Sequence, residues 1–247
     1  MTGRGWHLGP LVAFDTETTG VDVETDRIVT ACVAHIDGTG ETPPDVRTWL
    51  LDPGVEIPES ASAIHGISTE RARAEGMTAA VGVELITEAL ADACVGMPLI
   101  IFNAPYDLTL LDRECRRHGL PTLHERSTAW GLDIIDPLVL DRHVVPRRRG
   151  KGARKLTALC EVYGVPLVDA HDAAADALGA ARIAWVMASR HPETAGAPLP
   201  ELQALQVRAH AEWARDFQEY LRRDDPAAVV DGRWPILPYG EALEAAA

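Results

Sequence analysis

The amino-acid sequence predicts an α/β fold in which a central mixed sheet of five strands is flanked by helices. Two observations predict it. Three strand-like segments come first in the chain, before any long helical pattern, and the later strand-like segments alternate with helical ones. Strands that are grouped first and then separated by helices are typical of a sheet with helices packed on its faces.

The first three strands are predicted from apolar and β-branched runs. Residues 11–20 open with an apolar run and end in a Thr-Thr-Gly turn, as a buried strand does where it enters a loop. Residues 28–37 and 46–52 are rich in apolar residues and are separated by a connection that contains Gly and Pro. These segments are predicted to be neighbouring antiparallel strands.

Helical and strand-like patterns then alternate. A helical periodicity over 79–93 precedes the short apolar segment 98–103, and an amphipathic helix is predicted to begin near Pro105 and to stop at Gly119. The remaining predicted elements are, in order, a strand over 132–140, a helix over 156–163 and an alanine-rich helix from about His171 to Ser189.

The chain divides at a proline-rich stretch over 192–200, which predicts a linker. Beyond it, apolar residues recur every three or four positions from Leu202 to Tyr220, which places one apolar stripe on a long helix. We expect a main domain over 8–192 and a C-terminal helical extension over 193–247. The stripe is predicted to pack back on the main domain, and a partner surface or homodimer contact is the alternative.

The composition fits a cytoplasmic globular protein. Hydrophobic residues make up 47% and charged residues 24% of the 247 positions, which argues against disorder. No apolar run approaches the roughly 18 residues that a membrane span needs, and the N-terminus lacks the apolar stretch of a secretory signal. The four cysteines show no paired spacing, so they predict buried thiols rather than a zinc site or disulfides.

The charge is strongly acidic, with one local exception. A net charge of −14, from 23 basic and 37 acidic residues, would by itself repel nucleic acid. The segment RRRGKGARK at 147–155 has six basic residues among nine. Such a cluster is either a solvated surface loop or a site that contacts phosphates, and the sequence leaves both open.

Three acidic residues lie where predicted strands end. Asp15 and Glu17 are two positions apart at the end of the first strand, so their side chains share one face and can converge on a cation. Asp107 lies in the first turn of the helix after the segment 98–103. Each has a structural alternative, because a strand-end pair can form a solvated turn and a helix-start carboxylate complements the helix dipole.

A histidine and a further acid lie at the start of the alanine-rich helix. The segment HDAAAD contains His171 and Asp176, and its alanines allow the helix to lie close against a sheet. His171 or Asp172 could instead cap that helix. The order of the whole set, a strand-end Asp-x-Glu, a helix-start Asp and then His-x-Ala-x-x-Asp, is far more specific than any one member.

Four carboxylates in one place predict divalent cations. Like charges raise one another's pKa values and repel unless cations neutralise them. Hard oxygen ligands select Mg²⁺ or Mn²⁺. Two such ions about 3.5–4 Å apart can stabilise the attacking and the leaving oxygen of a phosphoryl displacement. A neighbouring neutral histidine can accept a proton from the attacking water.

These motifs resemble those of the DnaQ-like, or DEDDh, 3′→5′ exonucleases, which include proofreading subunits of bacterial replicative polymerases and RNase T. FDTETTG at 14–20 is similar to the first exonuclease motif, NAPYD at 103–107 to the second and HDAAAD at 171–176 to the third. The resemblance covers about residues 10–190. It implies a ribonuclease H-like fold in which the first three strands are antiparallel and the acids cluster at one sheet edge.

The resemblance also implies a role for each catalytic residue. Asp15 would contact both metals, Glu17 and Asp176 would complete the tighter metal site, and Asp107 would serve the second, partly through water. His171 would be the general base. The main domain over 8–192 is then predicted to be an exonuclease domain.

Further residues are predicted to bind the substrate. The segment IHGIS is similar to one that the family places near the terminal nucleotide, so His65 joins this set, with a loop hydrogen bond as its alternative role. Thr16, Thr18 and Thr19 could contact the 3′ end through backbone and hydroxyl groups, or could only form the turn. The set is completed by Asn103, Arg147, Arg148, Arg149 and Lys151.

The predicted function is removal of nucleoside monophosphates from the 3′ ends of single-stranded nucleic acid, with DNA favoured. RNA trimming of the RNase T or oligoribonuclease kind is one alternative. A catalytically idle accessory module of a polymerase is the other, although all five catalytic positions are intact. The sequence leaves open a role in proofreading or in repair, and a DNA polymerase or a second copy of the chain as a further partner.

Overall fold

A computed structural model of the protein describes residues 5–127, 131–168 and 170–240. Its strands are β1 (Pro10–Thr18), β2 (Ile28–Asp37), β3 (Asp45–Asp52), β4 (Met77–Thr78), β5 (Leu99–Ile100) and β6 (Ile134–Ile135). They form one mixed six-stranded sheet in the order β4-β3-β2-β1-β5-β6. The first three are antiparallel neighbours, whereas β5, β6 and β4 pair in parallel. The predicted mixed sheet is confirmed.

Helices cover both faces of this sheet. After a 3-10 turn at Trp6–Leu8, the helices are α1 (Glu59–His65), α2 (Thr69–Glu75), α3 (Ala79–Ala93), α4 (Ala104–Arg117), α5 (Leu123–Arg126), α6 (Pro137–Val144), α7 (Leu156–Tyr163), α8 (Ala173–Arg190), α9 (Pro192–Ala195) and α10 (Leu199–Leu221). In the described residues none of these helices is long and apolar enough to cross a bilayer.

The predicted number of strands was wrong by one. The strand that the sequence did not predict, β4, has only two residues and pairs in parallel with Leu51 and Asp52 of β3. A two-residue strand is too short to show the alternation by which strands are identified in a sequence. Its position is set by the tertiary approach of the chain to the sheet edge.

The prediction of one strand over 132–140 was also wrong. Only Ile134 and Ile135 are extended, and α6 begins at Pro137. The side chain of Asp136 accepts hydrogen bonds from the backbone N–H groups of Leu138 and Val139, and so caps this helix. A capping Asp followed by Pro is a helix-start signal, and the apolar residues after it belong to α6.

The two faces of β1 belong to two hydrophobic clusters. Val12 and Phe14 face the cluster that includes side chains of α3 and α4. Leu11 and Ala13, on the opposite face, lie in the cluster that includes α8. This alternation is the expected period of a strand buried on both sides. It also decides which helix approaches each polar residue at the end of β1.

The C-terminal part of the chain packs on both clusters. Leu202 of α10 is buried in the cluster under α8, and Trp234 is buried in the cluster under α4. The predicted packing of the stripe is therefore confirmed near the start of α10, whereas Phe217 and Tyr220 are exposed. The stretch predicted as a linker forms α9 and the first turn of α10. The boundary at 192/193 stays a prediction, and residues 241–247 lie outside the described part.

Candidate active site

The C-terminal end of β1 supplies the first two acidic side chains. Asp15 pairs with Cys32 and Glu17 with Thr30 across the antiparallel ladder to β2, and the register shifts directly after Glu17. Both acids lie on the β1 face that α8 covers. Because they follow Leu11 and Ala13 at the strand period, burial of those apolar residues fixes the direction of the acids.

Asp107 approaches from the opposite side, in the first turn of α4. It is 3% exposed. One of its carboxylate oxygens accepts hydrogen bonds from the backbone N–H of Thr16 at 3.1 Å and from the Thr16 hydroxyl at 2.6 Å. Asn103, the residue before α4, has a left-handed backbone with φ of 63°. Non-glycine residues in that region are uncommon and are enriched at functional sites.

His171 and Asp176 come from the start of α8. Asp172 is the N-cap and accepts hydrogen bonds from the N–H groups of Ala174 and Ala175 at 3.0 and 3.1 Å, so the capping role falls to Asp172. His171 is left-handed with φ of 71°. Its backbone N–H lies 3.4 Å from both carboxylate oxygens of Asp176, and its side chain is exposed beside the carboxylates.

Three of these residues are close enough to share one ion. Ligand atoms of Glu17, His171 and Asp176 all lie within 4.8 Å of one another. Asp15 and Asp107 are not in that closest group, although their charges act on it. We call Asp15, Glu17, Asp107 and Asp176 the carboxylate cluster.

Burial and mutual repulsion raise the pKa values of the carboxylate cluster. The pKa of Asp15 lies well above its ordinary range, first because of burial and then because of Asp107 and Asp176. Burial, with Asp176 next in importance, raises the pKa of Glu17 to about 8. Burial raises the pKa of Asp107 to about 7 despite its hydrogen bonds from Thr16. The pKa of Asp176 is raised by burial as well.

The carboxylate cluster lacks a salt bridge in the described part of the chain. Among the described residues no salt bridge reaches Asp15, Glu17, Asp107 or Asp176. The carboxylate oxygens that converge here are the donors that Mg²⁺ and Mn²⁺ select, and one imidazole lies beside them. The side chains present therefore fit divalent cations, which would remove the repulsion that raises the pKa values.

His65 lies beside the cluster, as its motif suggested. Burial, and to a smaller extent the charge of His171, lower the pKa of His65, which favours the neutral imidazole. Its Nδ1 accepts a hydrogen bond from the backbone N–H of Ile67 at 3.2 Å, so its Nε2 bears the proton. That Nε2 is buried, and the ring forms a hydrogen bond with the backbone of Thr18.

The threonines after β1 hold a turn together. The Thr18 hydroxyl donates to the carbonyl of Gly20 at 2.7 Å and shares a 2.6 Å hydrogen bond with the Tyr106 hydroxyl. The Thr19 hydroxyl donates to Asp26 at 2.7 Å. These bonds match the turn-forming role that the sequence left open, and contact with a 3′ end stays a prediction. Tyr106 escaped the sequence analysis because its partner is 88 residues away.

The basic segment is divided in its roles. Arg148 and Arg154 form salt bridges of 2.9 and 2.8 Å with the fully buried carboxylate of Asp141, and the Tyr163 hydroxyl donates to the same carboxylate at 2.7 Å. The side chains of Arg147, Arg149 and Lys151 are exposed. Of the four basic residues predicted to bind substrate, Arg148 is therefore engaged inside the protein.

Two more residues of this region lay outside the predicted site. Asp172 adds its charge to Asp15, Glu17 and Asp176. Asp136 is fully buried and accepts hydrogen bonds from the N–H groups that begin α4. The Asp-Pro pair at 136–137 was the available sequence signal for a helix cap.

Comparison with known proteins is consistent with this geometry. The family model RNase_T, described as exonuclease, matches residues 12–184. The chain is 29% identical over 167 residues to a PolC-type DNA polymerase III of Lacticaseibacillus paracasei, which covers 67% of this chain. It is 28% identical over 215 residues to a DNA polymerase III subunit epsilon-like protein of Rhodobacter capsulatus, which covers 83% of this chain.

The chain spans only part of these relatives, namely 10% of the PolC-type polymerase and 27% of the epsilon-like protein. Among solved structures it is similar to E. coli exonuclease I in complex with a dT13 oligonucleotide. That match has a TM-score of 0.65 and 19% identity, and it covers 75% of this chain and 42% of the other. At this identity the similarity concerns the fold, which is the ribonuclease H-like exonuclease fold that the motifs implied.

Proposed function

Since this chain belongs to the exonuclease family whose model matches residues 12–184, we propose that it is a 3′→5′ exonuclease of single-stranded nucleic acid, with DNA favoured over RNA. It hydrolyses the phosphodiester bond at the 3′ end and releases nucleoside monophosphates. One observation supports this most: four carboxylates, which form no salt bridge with the described residues, come together at the end of β1, with His171 beside them.

Two divalent cations, Mg²⁺ or Mn²⁺, are the proposed cofactors. Asp15, Glu17, Asp107 and Asp176 would hold them, and the oxygen donors and raised pKa values of these residues support that assignment. When bound, such ions supply charge stabilisation for the attacking and the leaving oxygen of the phosphoryl group.

The other side chains prepare the reaction. The exposed imidazole of His171 accepts a proton from the attacking water as the general base. Thr16 holds Asp107 in place through two hydrogen bonds. Because His171 lies within ligand distance of Glu17 and Asp176, its role as base or as ligand is open to experiment.

The substrate is proposed to enter between the turn after β1 and the start of α4. His65 lies at this place, next to the backbone of Thr18, and Thr16, Thr18, Thr19 and Asn103 line it. The exposed Arg147, Arg149 and Lys151 follow the phosphates, whereas Arg148 supports their loop through Asp141.

The name RNase_T of the matching family favours RNA as the second candidate substrate. A catalytically idle accessory module is less well supported, because every predicted catalytic position is intact and the acids are gathered. Partnership with a DNA polymerase, contact with a second copy of the chain, a part in proofreading or repair and a cytoplasmic location remain predictions.

A nuclease assay tests the proposal. Purified protein with Mg²⁺ or Mn²⁺ is incubated with 5′-labelled single-stranded DNA, duplex DNA and single-stranded RNA. We expect mononucleotides and a ladder that shortens from the 3′ end, fastest on single-stranded DNA, and arrest by EDTA. Internal cleavage, or no cleavage of any substrate with either metal, would contradict the proposal. Faster degradation of RNA than of DNA would make RNA the preferred substrate.

A further inference from the structure

The start of α4 is held from behind by one buried carboxylate. Asp136 is fully buried. One of its oxygens accepts hydrogen bonds from the N–H groups of Asn103 at 3.1 Å and Leu138 at 2.9 Å, and the other from Ala104 at 3.0 Å. These are N–H groups that a helix start leaves without an internal partner. Asp107, three residues after Ala104, therefore takes its position from Asp136.

Asp136 is fixed in turn by residues far beyond the exonuclease motifs. The side-chain carbonyl of Gln206, in α10, accepts the backbone N–H of Asp136 at 2.7 Å, and its amide donates to the carbonyl of Ile134 at 2.9 Å. The indole N–H of Trp234 lies 3.4 Å from the second carboxylate oxygen. Gln206 and Trp234 both lie outside residues 12–184, to which the family model applies.

Residues 234–239, which we call the C-terminal strap, continue along α4. The backbone N–H of Leu237 donates to the Thr109 hydroxyl at 3.0 Å. The guanidinium of Arg113 donates to the carbonyls of Leu237 and Pro238 at 3.1 and 2.8 Å. Arg116 lies over the Tyr239 ring at 4.6 Å from its centre. The strap therefore contacts α4 over about two turns.

The strap and the active site use opposite faces of α4. Thr109, Arg113 and Arg116 are spaced by four and three positions, so they form one stripe. Asp107 precedes Thr109 by two positions, or about 200° around the helix, and so projects away from that stripe toward Thr16. The strap contacts on one face of α4 therefore help to fix the position of the Asp107 carboxylate on the opposite face.

We propose that the C-terminal strap, with Gln206 and Asp136, is a positioning element for Asp107, and that metal binding at the carboxylate cluster depends on it. The proposal rests on the proposed function for its metal, because Asp107 is assigned there to a cation. It adds that the segment outside the exonuclease motifs is part of the active site's support. Asp136 is a positioning residue and does not contact the substrate.

Asp136→Asn in the full chain is the main test. Both carboxylate oxygens accept N–H groups, so either orientation of an amide turns an NH₂ group toward donors. We expect calorimetric titration to show that Mn²⁺ binds about 10- to 100-fold more weakly, because loss of a group that supports a metal ligand typically lowers metal affinity by this factor. Turnover on single-stranded DNA should fall by a similar factor with KM within about twofold, and hydrogen exchange at the amides of residues 104 and 106–108 should accelerate.

Milder variants keep the test informative if Asp136→Asn does not fold. Trp234→Phe removes the indole N–H that lies near Asp136. Thr109→Val removes the hydroxyl that accepts a hydrogen bond from the backbone N–H of Leu237. Each should weaken Mn²⁺ binding by about threefold, as loss of one modest hydrogen bond implies. Leu51→Ala is the control, because it makes a cavity in the same core without touching α4's support.

The outcomes separate positioning from general stability. Wild-type Mn²⁺ affinity in Asp136→Asn, or in both milder variants, would overturn the proposal. Equal loss of affinity in Leu51→Ala at a matched melting temperature would overturn it too. If the wild type degrades no nucleic acid, the proposed function fails on its own, whereas Mn²⁺ titration and hydrogen exchange still report on positioning.

Discussion

Asp141 and the carboxylate cluster differ in how the protein compensates their charges. Asp141 is fully buried, and two guanidinium groups and a tyrosine hydroxyl satisfy its carboxylate. In the carboxylate cluster, burial is compounded by like charges, and among the described residues no salt bridge offsets them. The chain has 23 Lys and Arg residues, and it directs two of them to Asp141.

The difference shows how a structural acid can be told from a functional one. A buried charge destabilises a fold unless it is paired. Asp141 is paired from within, so its carboxylate stabilises the loop that contains the basic segment. Among the described residues the carboxylate cluster lacks such pairing, and the divalent cations proposed above would remove the repulsion. The experiments below break or sharpen this contrast.

The largest effect is expected from Asp15→Asn. Loss of one metal ligand removes several kcal/mol of transition-state stabilisation, or about 10³-fold in turnover. The same change removes a repelling charge, so the metal-free protein should melt at a higher temperature than the wild type at pH 8. Calorimetry with EDTA and a nuclease assay with Mg²⁺ measure the two quantities. A variant that is both active and less stable would contradict the contrast.

Asp141→Asn should have the opposite signature. Removing one partner of a buried ion pair leaves uncompensated charge, which typically costs about 3–5 kcal/mol of unfolding free energy. We expect a lower urea midpoint with and without Mg²⁺. Asp92→Asn, at an exposed position of α3, is a matched control that should change the midpoint little. An unchanged midpoint for Asp141→Asn would show that its ion pairs do not stabilise the fold.

His171→Ala distinguishes base from ligand. If the imidazole acts as the general base, turnover should fall by about 10²–10⁴-fold while Mn²⁺ still binds with near wild-type affinity. If it is a ligand together with Glu17 and Asp176, both quantities should fall. Single-turnover kinetics and Mn²⁺ titration are the measurements. Unchanged turnover would remove His171 from either role.

The stability of the metal-free protein should depend on pH in a defined direction. In the folded state the pKa is about 8 for Glu17 and about 7 for Asp107, against ordinary values of 4.5 and 3.8. The folded state therefore binds more protons than the unfolded state between these limits, so stability is lost as pH rises toward 8. In EDTA we therefore expect the melting temperature to fall by roughly 5 °C as the pH rises toward 8.

Added Mg²⁺ should reverse that fall, and more strongly at pH 8 than at pH 6, because the ligands must be deprotonated. Scanning calorimetry over this range checks both trends. The double variant Glu17→Gln with Asp107→Asn should flatten the curve. A melting temperature that rises with pH in EDTA would show that the repulsion does not control stability.

The smallest effect concerns the basic segment. Replacing Arg147, Arg149 and Lys151 with Gln should raise KM several-fold and leave turnover at saturation unchanged. The slope of the logarithm of the binding constant against the logarithm of salt concentration should become shallower by about 2, because each of the three lost phosphate contacts contributes roughly 0.7 on a single strand. Fluorescence anisotropy at several salt concentrations measures this slope. The Arg148→Gln variant should instead lower stability, and equal slopes in wild type and triple variant would exclude phosphate contact.

The sequence by itself determined the long elements and the chemistry of the site. Period and composition located β1, β2, α7 and α8 closely, because each is long enough to show a repeat. The order of Asp15, Glu17, Asp107, His171 and Asp176 was sufficient to predict that these side chains meet. The structure brings them together, while their individual roles stay predictions.

Only the tertiary structure decided the short elements and the supporting contacts. The two residues of β4 are too few to show a periodicity. The sequence pattern placed Asp136 in a predicted strand, whereas the hydrogen bonds of its carboxylate with Ala104 and Trp234 exist only in the folded protein. Arg148 is indistinguishable from Arg149 in the sequence, yet it pairs with Asp141 whereas Arg149 faces solvent. Local patterns report local preference, but hydrogen bonds and ion pairs between residues far apart in the chain exist only once the fold brings them together.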